Sequence, residues 1–191
     1  HCICCMSSTR HDKIKSKRKK DPARIALGKK NRRSGRNFER SVYARLSAFG
    51  LPVYKTPLSG GLKSTGILPF LHDHLAGDLQ MDIKGDKFII ECKHTSTHDK
   101  MFRDIDKYKC IHYQGFCHVM DDDTFQDFLF GHDVLALNKE DKTNKWLHDF
   151  FEQDRCHMVV IGKNYMGNLY CVRDDVMDKI KGSSQYKYKK I

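Results

Sequence analysis
At 191 residues and 22.3 kDa, with 39% hydrophobic residues, the chain has material for one ordinary core with tails, and no run approaches the roughly 20 apolar residues of a membrane span. Its formal net charge of +11 is concentrated near one end: Arg10 to Arg36 holds thirteen Lys/Arg against two Asp, which leaves residues 37–191 balanced. Eight cysteines, at 2, 4, 5, 92, 110, 117, 156 and 171, lack paired zinc-type spacing. Two fall inside predicted strands, which reads as a reduced, intracellular protein: cytoplasmic in a prokaryote or virus, with the nucleus as the eukaryotic alternative.

The chain begins at His1, as a processed or partial chain would, and His1-Cys2-Ile3-Cys4-Cys5 has no second ligand half, so it reads as a mobile terminus. Residues 1–33 read as a basic, disordered arm. Its Lys13–Lys20 run suits phosphate contacts or a nuclear address, and the stretch around Pro22 to Leu27 becomes helical on binding. The folded domain is expected over 34–181. Ser34 is expected to cap a helix running to Phe49, with Gly50 as its stop. Phe38, Val42, Leu46 and Phe49 form the buried stripe, and Glu39 lies at its edge beside Arg36 and Arg40.

Pro52 to Thr56 reads as a short strand containing Lys55, and Pro57-Leu58-Ser59-Gly60-Gly61 as a loop. Leu62 to Ala76 is a long link that carries Lys63 and the alternating His72, Asp73 and His74, read as solvated loop residues or a phosphate contact rather than metal ligands. Gly77 to Lys93 reads as a hairpin turning on Gly85-Asp86, with residue 84 facing 87 and pairs 82–89, 80–91 and 78–93. One face then collects Leu79, Met81, Ile83, Phe88, Ile90 and Cys92. The other collects Asp78, Gln80, Asp82, Glu91 and Lys93, with Ile89 the exception.

Beyond the hairpin, a helix is expected from Thr97 or His98 with Met101, Phe102, Ile105 and Tyr108 on one side. Asp121-Asp122-Asp123 reads as the acids of a helix start, because three consecutive residues do not point one way. Val134–Leu137, His157–Gly162 and Leu169–Arg173 read as strands. Asn144–Gln153 reads as a helix burying Trp146, Leu147, Phe150 and Phe151, and Asp174–Ile180 as a last short helix. Residues 182–191 read as a basic tail in which Tyr186 and Tyr188 alternate with lysines.

The spacing of Asp78 and Glu91-Cys92-Lys93 resembles the PD-(D/E)XK nuclease superfamily, with Gly77 where its proline would stand. Gly35-Arg36-Asn37-Phe38-Glu39-Arg40, Ser59-Gly60-Gly61, Gly77-Asp78-Leu79 and Ile90-Glu91-Cys92-Lys93, in that order over about residues 35–109, resemble archaeal-type Holliday junction resolvases. The resemblance implies an α/β, restriction-endonuclease-like core with a mixed sheet of about five strands flanked by helices. It implies hydrolysis of DNA phosphodiesters, with four-way or otherwise branched junctions preferred, by a homodimer using Mg2+ or Mn2+ and leaving 5′-phosphate and 3′-hydroxyl ends. Asp78, Glu91 and the main-chain carbonyl of Cys92 would be metal ligands, with Glu39 completing the site directly or through water. Lys93 would be the catalytic lysine and Ser59 would lie by the scissile phosphate. Arg32, Arg33, Arg36, Arg40, Lys55, Ser59 and Lys63 are the expected DNA contacts. Other nucleases of the superfamily, and a non-catalytic DNA-binding protein on the same fold, are the alternatives.

Overall fold
A computed structural model describes residues 21–56, 77–95, 110–113, 116–137, 145–154, 156–162 and 167–185. The expected helix at 97–108, the link 62–76 with His72, Asp73 and His74, the His1–Cys5 start and the tail beyond 185 lie outside these residues. In chain order the elements are α1 (Pro22–Ala48), β1 (Val53–Lys55), β2 (Leu79–Ile83), β3 (Asp86–His94), β4 (Cys110–Tyr113), β5 (Cys117–Asp121), α2 (Asp122–Leu129), β6 (Leu135–Leu137), α3 (Lys145–Asp154), β7 (Met158–Gly162) and β8 (Leu169–Arg173). A 3-10 turn (Asp174–Val176) then leads into α4 (Met177–Ile180). Among the described residues no helix is long and apolar enough to cross a membrane.

The fold is α/β, with one mixed sheet of eight strands in the order β1-β2-β3-β7-β8-β5-β4-β6. β3 pairs parallel to β7 and β4 parallel to β6, while the other neighbours are antiparallel. The sheet is wider than the five strands expected. β4 and β5 carry Cys-Ile-His-Tyr and Cys-His-Val-Met-Asp, whose polar and thiol-bearing residues hide the alternation that marks a half-buried strand.

Alternation along the central strands divides the interior in two. Met158 and Val160 of β7, with Tyr170 and Val172 of β8, face Phe38, Val42 and Leu46 of α1 and Phe125, Phe128 and Leu129 of α2. Val159, Ile161, Leu169 and Cys171 face Leu147 and Phe151 of α3, together with Cys117 and Cys156. The expected burial of Leu147 and Phe151 therefore holds; the side chains of Trp146 and Phe150 lie outside the described residues. Phe125 stacks on Tyr170 with ring centroids 4.1 Å apart. The Tyr170 hydroxyl donates to Asp122 at 2.8 Å, and Asp122 also pairs with Arg45 of α1. Asp121 caps α2 by accepting from the Thr124 N–H, as its reading as a helix-start acid requires.

Two boundaries differ from expectation. α1 starts twelve residues before Ser34, at Pro22, where Asp21 accepts from the Ala23 N–H and proline takes the first helical position. Ser34 is thus inside the helix, its hydroxyl 3.3 Å from Nδ1 of His94, and residues 22–33 are helix rather than arm. The helix ends as expected at Phe49, with Gly50 at φ 81°. At the other end, Gly182 and Ser184 donate from their backbone to Phe128 and Leu129, and the Ser184 hydroxyl to the Phe49 carbonyl. Residues 182–185 therefore pack on the fold and are not tail.

Candidate active site
The hairpin that carries the expected site turns one residue earlier than the sequence suggested. Lys84 and Gly85 both have positive φ, 55° and 89°, as a primed two-residue turn requires, and Asp82 Oδ1 accepts from the Gly85 N–H at 3.1 Å. The register is Ile83–Asp86, Asp82–Lys87, Met81–Phe88, Gln80–Ile89 and Leu79–Ile90. Moving the turn by one residue moves each partner by two, so no side chain changes face. Leu79, Met81, Ile83, Phe88, Ile90 and Cys92 are all buried against α1, as expected.

The opposite face is largely closed to water despite its polarity. Gln80 and Glu91 are 1% and 5% exposed, while Asp82 is open and Lys93 half-buried. Ile89 packs with the α3-side core. A buried carboxylate is costly without partners, and Lys93 Nζ stands 3.3 Å from Glu91 Oε2. The expected opposition of residues 78 and 93 is replaced by this same-strand pair.

Asp78 is held by both ends of its residue. Its N–H donates to the Ile90 carbonyl at 3.0 Å, and its Oδ2 accepts from the Cys92 N–H at 2.9 Å. A strand residue presents its N–H and C=O to the same side, so the Cys92 carbonyl also opens on the Asp78 side of β3. Gly77 explains the departure from the superfamily's proline. Its φ of 78° is closed to proline, and a Cβ there would lie 2.6 Å from Ile89 Cγ2 and 2.9 Å from the Ile90 carbonyl oxygen.

Glu39 comes from α1, the layer across from Glu91. Phe38 is locked at this level because its ring fills the space over Gly162, where any Cβ would overlap it, and lies 5.5 Å from the His94 ring. The next residue, Glu39, therefore meets the start of β2, in a cleft of about 240 Å³ lined by Arg36, Glu39, Arg40, Lys55, Thr56, Asp78 and Leu79. Burial and then the neighbouring Asp78 carboxylate raise the Glu39 pKa, against the pull of Arg36, Lys55 and Lys93. Lys55 also stands 5.0 Å over the Tyr43 ring. The Cys92 thiol is buried, and burial together with Asp78, Glu39 and Glu91 pushes its pKa well up, so it is no nucleophile.

The fold thus brings Glu39 and Asp78 into one cleft with Arg36, Arg40 and Lys55, and ties Asp78 to the backbone of Cys92, the residue between Glu91 and Lys93. Arg32 and Arg33 lie further out on α1. Ser59 and Lys63 fall outside the described residues. Sequence reasoning misses His94, although it directly follows Glu91-Cys92-Lys93; its partners Ser34 and Phe38, from the distant α1, reveal its place. Among the described residues no group of three His, Cys, Asp or Glu side chains forms a ready-made metal cage. A search of protein-family models and of curated proteins finds no match for this chain.

Proposed function
We propose that this protein is a metal-dependent endodeoxyribonuclease of the PD-(D/E)XK type. The observation that carries the reading is that Glu39 of α1 and Asp78 before β2 share one cleft, while Asp78 is bonded to the N–H of Cys92, the residue between the paired Glu91 and Lys93 of β3. These are four chemically matched groups drawn from distant parts of the chain.

The donor set fits Mg2+ or Mn2+. Asp78, Glu91 and the Cys92 carbonyl offer hard oxygen ligands, and Glu39 adds a carboxylate directly or through water; burial, and then the Asp78 charge, disfavour its ionised form, a cost that a bound cation would offset. Two carboxylates with retained waters, rather than a closed protein cage, is the usual way Mg2+ is held. The ion, once bound, supplies a more acidic water and stabilises charge on the phosphate. The chain's own groups do the rest. Lys93 orients the attacking water or neutralises the five-coordinate phosphorus, and Arg36, Arg40 and Lys55 hold the phosphates flanking the cut. The Asp78–Cys92 hydrogen bond fixes the distance between the two strands that carry the ligands.

The finer reading is a Holliday junction resolvase, an intracellular homodimer cutting four-way junctions, in which a two-fold partner supplies the second cut. The order of the motifs supports it. The test is cleavage of labelled four-way, flap, linear duplex and single-stranded DNA with and without Mg2+. Preferred, Mg2+-dependent cutting of the junction is expected. Equal cutting of all duplexes leaves a general nuclease, and binding without cutting makes this a DNA-binding protein on a nuclease-like scaffold.

A further inference from the structure
α1 is longer than its share of the core. Phe38, Val42 and Leu46 are buried, yet from Asp21 to Arg33 every residue but Gly28 is exposed, so the first three turns stand clear of the sheet. Lys29, Arg32, Arg33, Arg36, Asn37 and Arg40 line one groove of about 460 Å³. Their spacing is 3, 1, 3, 1 and 3, one continuous stripe on a helix. Of these six described lining residues five are cations, and none takes part in the ion pairs among the described residues.

The stripe has a direction. Arg36 and Arg40, its last two cations, also line the cleft of Glu39 and Asp78. Lys29, Arg32 and Arg33 continue it outward, away from the acids. From residue 29 to residue 40 the helix rises about 16 Å, the axial length of about five base-pair steps at 3.4 Å each. A row of cations of that length, ending at a phosphodiester-cleaving cleft, is complementary to one arm of a duplex backbone. The same segment is a poor membrane binder. Its exposed large apolar residues, Ile25 and Leu27, are two apart and fall on different faces.

We infer that the stripe Lys29–Arg32–Arg33–Arg36–Arg40 is a rail for the DNA backbone on one side of the cut, giving the enzyme a one-sided requirement for about five base pairs of flanking duplex. This rests on the nuclease reading for its direction, but the rail itself is a binding property. Contacts of this kind are sequence-blind and salt-dependent.

The experiment uses the full chain with Asp78→Asn, so that binding is read without cutting. Fluorescence anisotropy follows a labelled duplex across a salt series, with and without the added triple substitution Lys29→Gln, Arg32→Gln and Arg33→Gln. Glutamine keeps helix propensity, and far-ultraviolet circular dichroism checks the helix. The slope of log affinity against log salt is expected to flatten by up to about 2.7, at about 0.9 per contact. The charge-keeping set Lys29→Arg, Arg32→Lys and Arg33→Lys is expected to hold the slope. An unchanged slope in the glutamine variant overturns the rail, as does binding of the full wild-type chain to anionic phospholipid vesicles in preference to DNA. In the cutting-competent protein, duplex shortened below five pairs on one side of the cut should be a poor substrate, whereas shortening the other side should not matter; equal sensitivity overturns the one-sidedness. If the wild type cuts nothing but the salt slope still falls, the rail stands and the nuclease reading falls.

Discussion

The two faces of β3 solve opposite problems on one strand. Towards α1, Phe88, Ile90 and Cys92 are buried in an unbroken apolar series. Towards α3, the series begins as core at Ile89 and turns to Glu91 and Lys93 within two residues, with Gln80 buried alongside on β2. The first face gains stability from area removed from water. The second gives some of it up, because a buried carboxylate answered by a half-exposed lysine rarely repays its desolvation. A strand that is rigid because one face is packed can hold on its other face a charge arrangement that would not assemble alone. Substitutions on the apolar face should therefore cost folding, and those on the charged face should cost chemistry.

The largest effect is expected on the charged face. Asp78→Asn or Glu91→Gln should lower Mg2+-dependent cleavage at least about 1000-fold, on the order of the roughly 4 kcal/mol at stake when a key charge is lost from a catalytic site. DNA binding should be kept or tightened, since each change removes a negative charge near phosphate. Near-normal cleavage by Asp78→Asn would remove the basis for the proposed chemistry. Lys93→Ala should also cripple turnover while calorimetry still registers Mg2+ binding.

On the apolar face, Phe88→Ala should cost about 3–5 kcal/mol in urea unfolding. If it instead left stability intact and abolished cleavage, the division between the faces would be wrong. Gly162→Ala tests how the two faces are joined. The added methyl would overlap the Phe38 ring, itself packed by His94. A loss of about 1–3 kcal/mol is expected, with reduced cleavage because Glu39 follows Phe38.

Much of this division was legible beforehand. Alternation in Leu79–Ile83 and, but for Ile89, in Phe88–Lys93 defines both faces, and the turn at Lys84-Gly85 leaves them in place because it shifts the pairing by an even number. Asp86 beside Gly85 drew attention to the wrong dipeptide; Asp82, two residues before the turn, decides it by accepting from Gly85. Burial of Gln80 and Glu91 was not legible, since polarity predicts exposure and only tertiary packing overrides it. Nor was the start of α1. Its first turns bury nothing, so no apolar period announces them, and their lysines and arginines, good helix formers, resemble a disordered basic arm in composition. The cap Asp21-Pro22 was the available signal.

Glu39 sits between the two behaviours, half-buried beside Asp78 with its pKa raised. Glu39→Gln should lower cleavage about tenfold, and in chelator it should raise stability at neutral pH. The sign follows from linkage: a carboxyl whose folded pKa is raised makes the folded state less stable above that pKa and stops doing so as pH falls through it. The gain in stability over wild type should close on acidification, and added Mg2+ should stabilise the wild type more than the variant. A variant less stable at every pH would mean that Glu39 supports the fold rather than the site.

The smallest effect is expected at His157, where the strand pair β3–β7 begins. Its Nδ1 accepts from the Ile89 N–H at 2.9 Å, its backbone N–H donates to the Ile89 carbonyl, and its ring meets Phe88 edge-on. An acceptor nitrogen requires the neutral ring. Burial, then Arg173 and Lys179, lower the pKa from the ordinary 6.5, with Asp175 opposing. Below about pH 6.5 the unfolded chain takes a proton that the folded chain refuses, so stability should fall with pH until the folded pKa is passed. The fall is at most about 1.4 kcal/mol per pH unit, the value for one proton. His157→Asn keeps an acceptor near Nδ1 and cannot titrate. Urea unfolding at pH 7.5, 6.5 and 5.5 should show a shallower acid loss in the variant. An identical loss in both proteins would move the acid sensitivity to another group and leave the Ile89–His157 bond without a role in it.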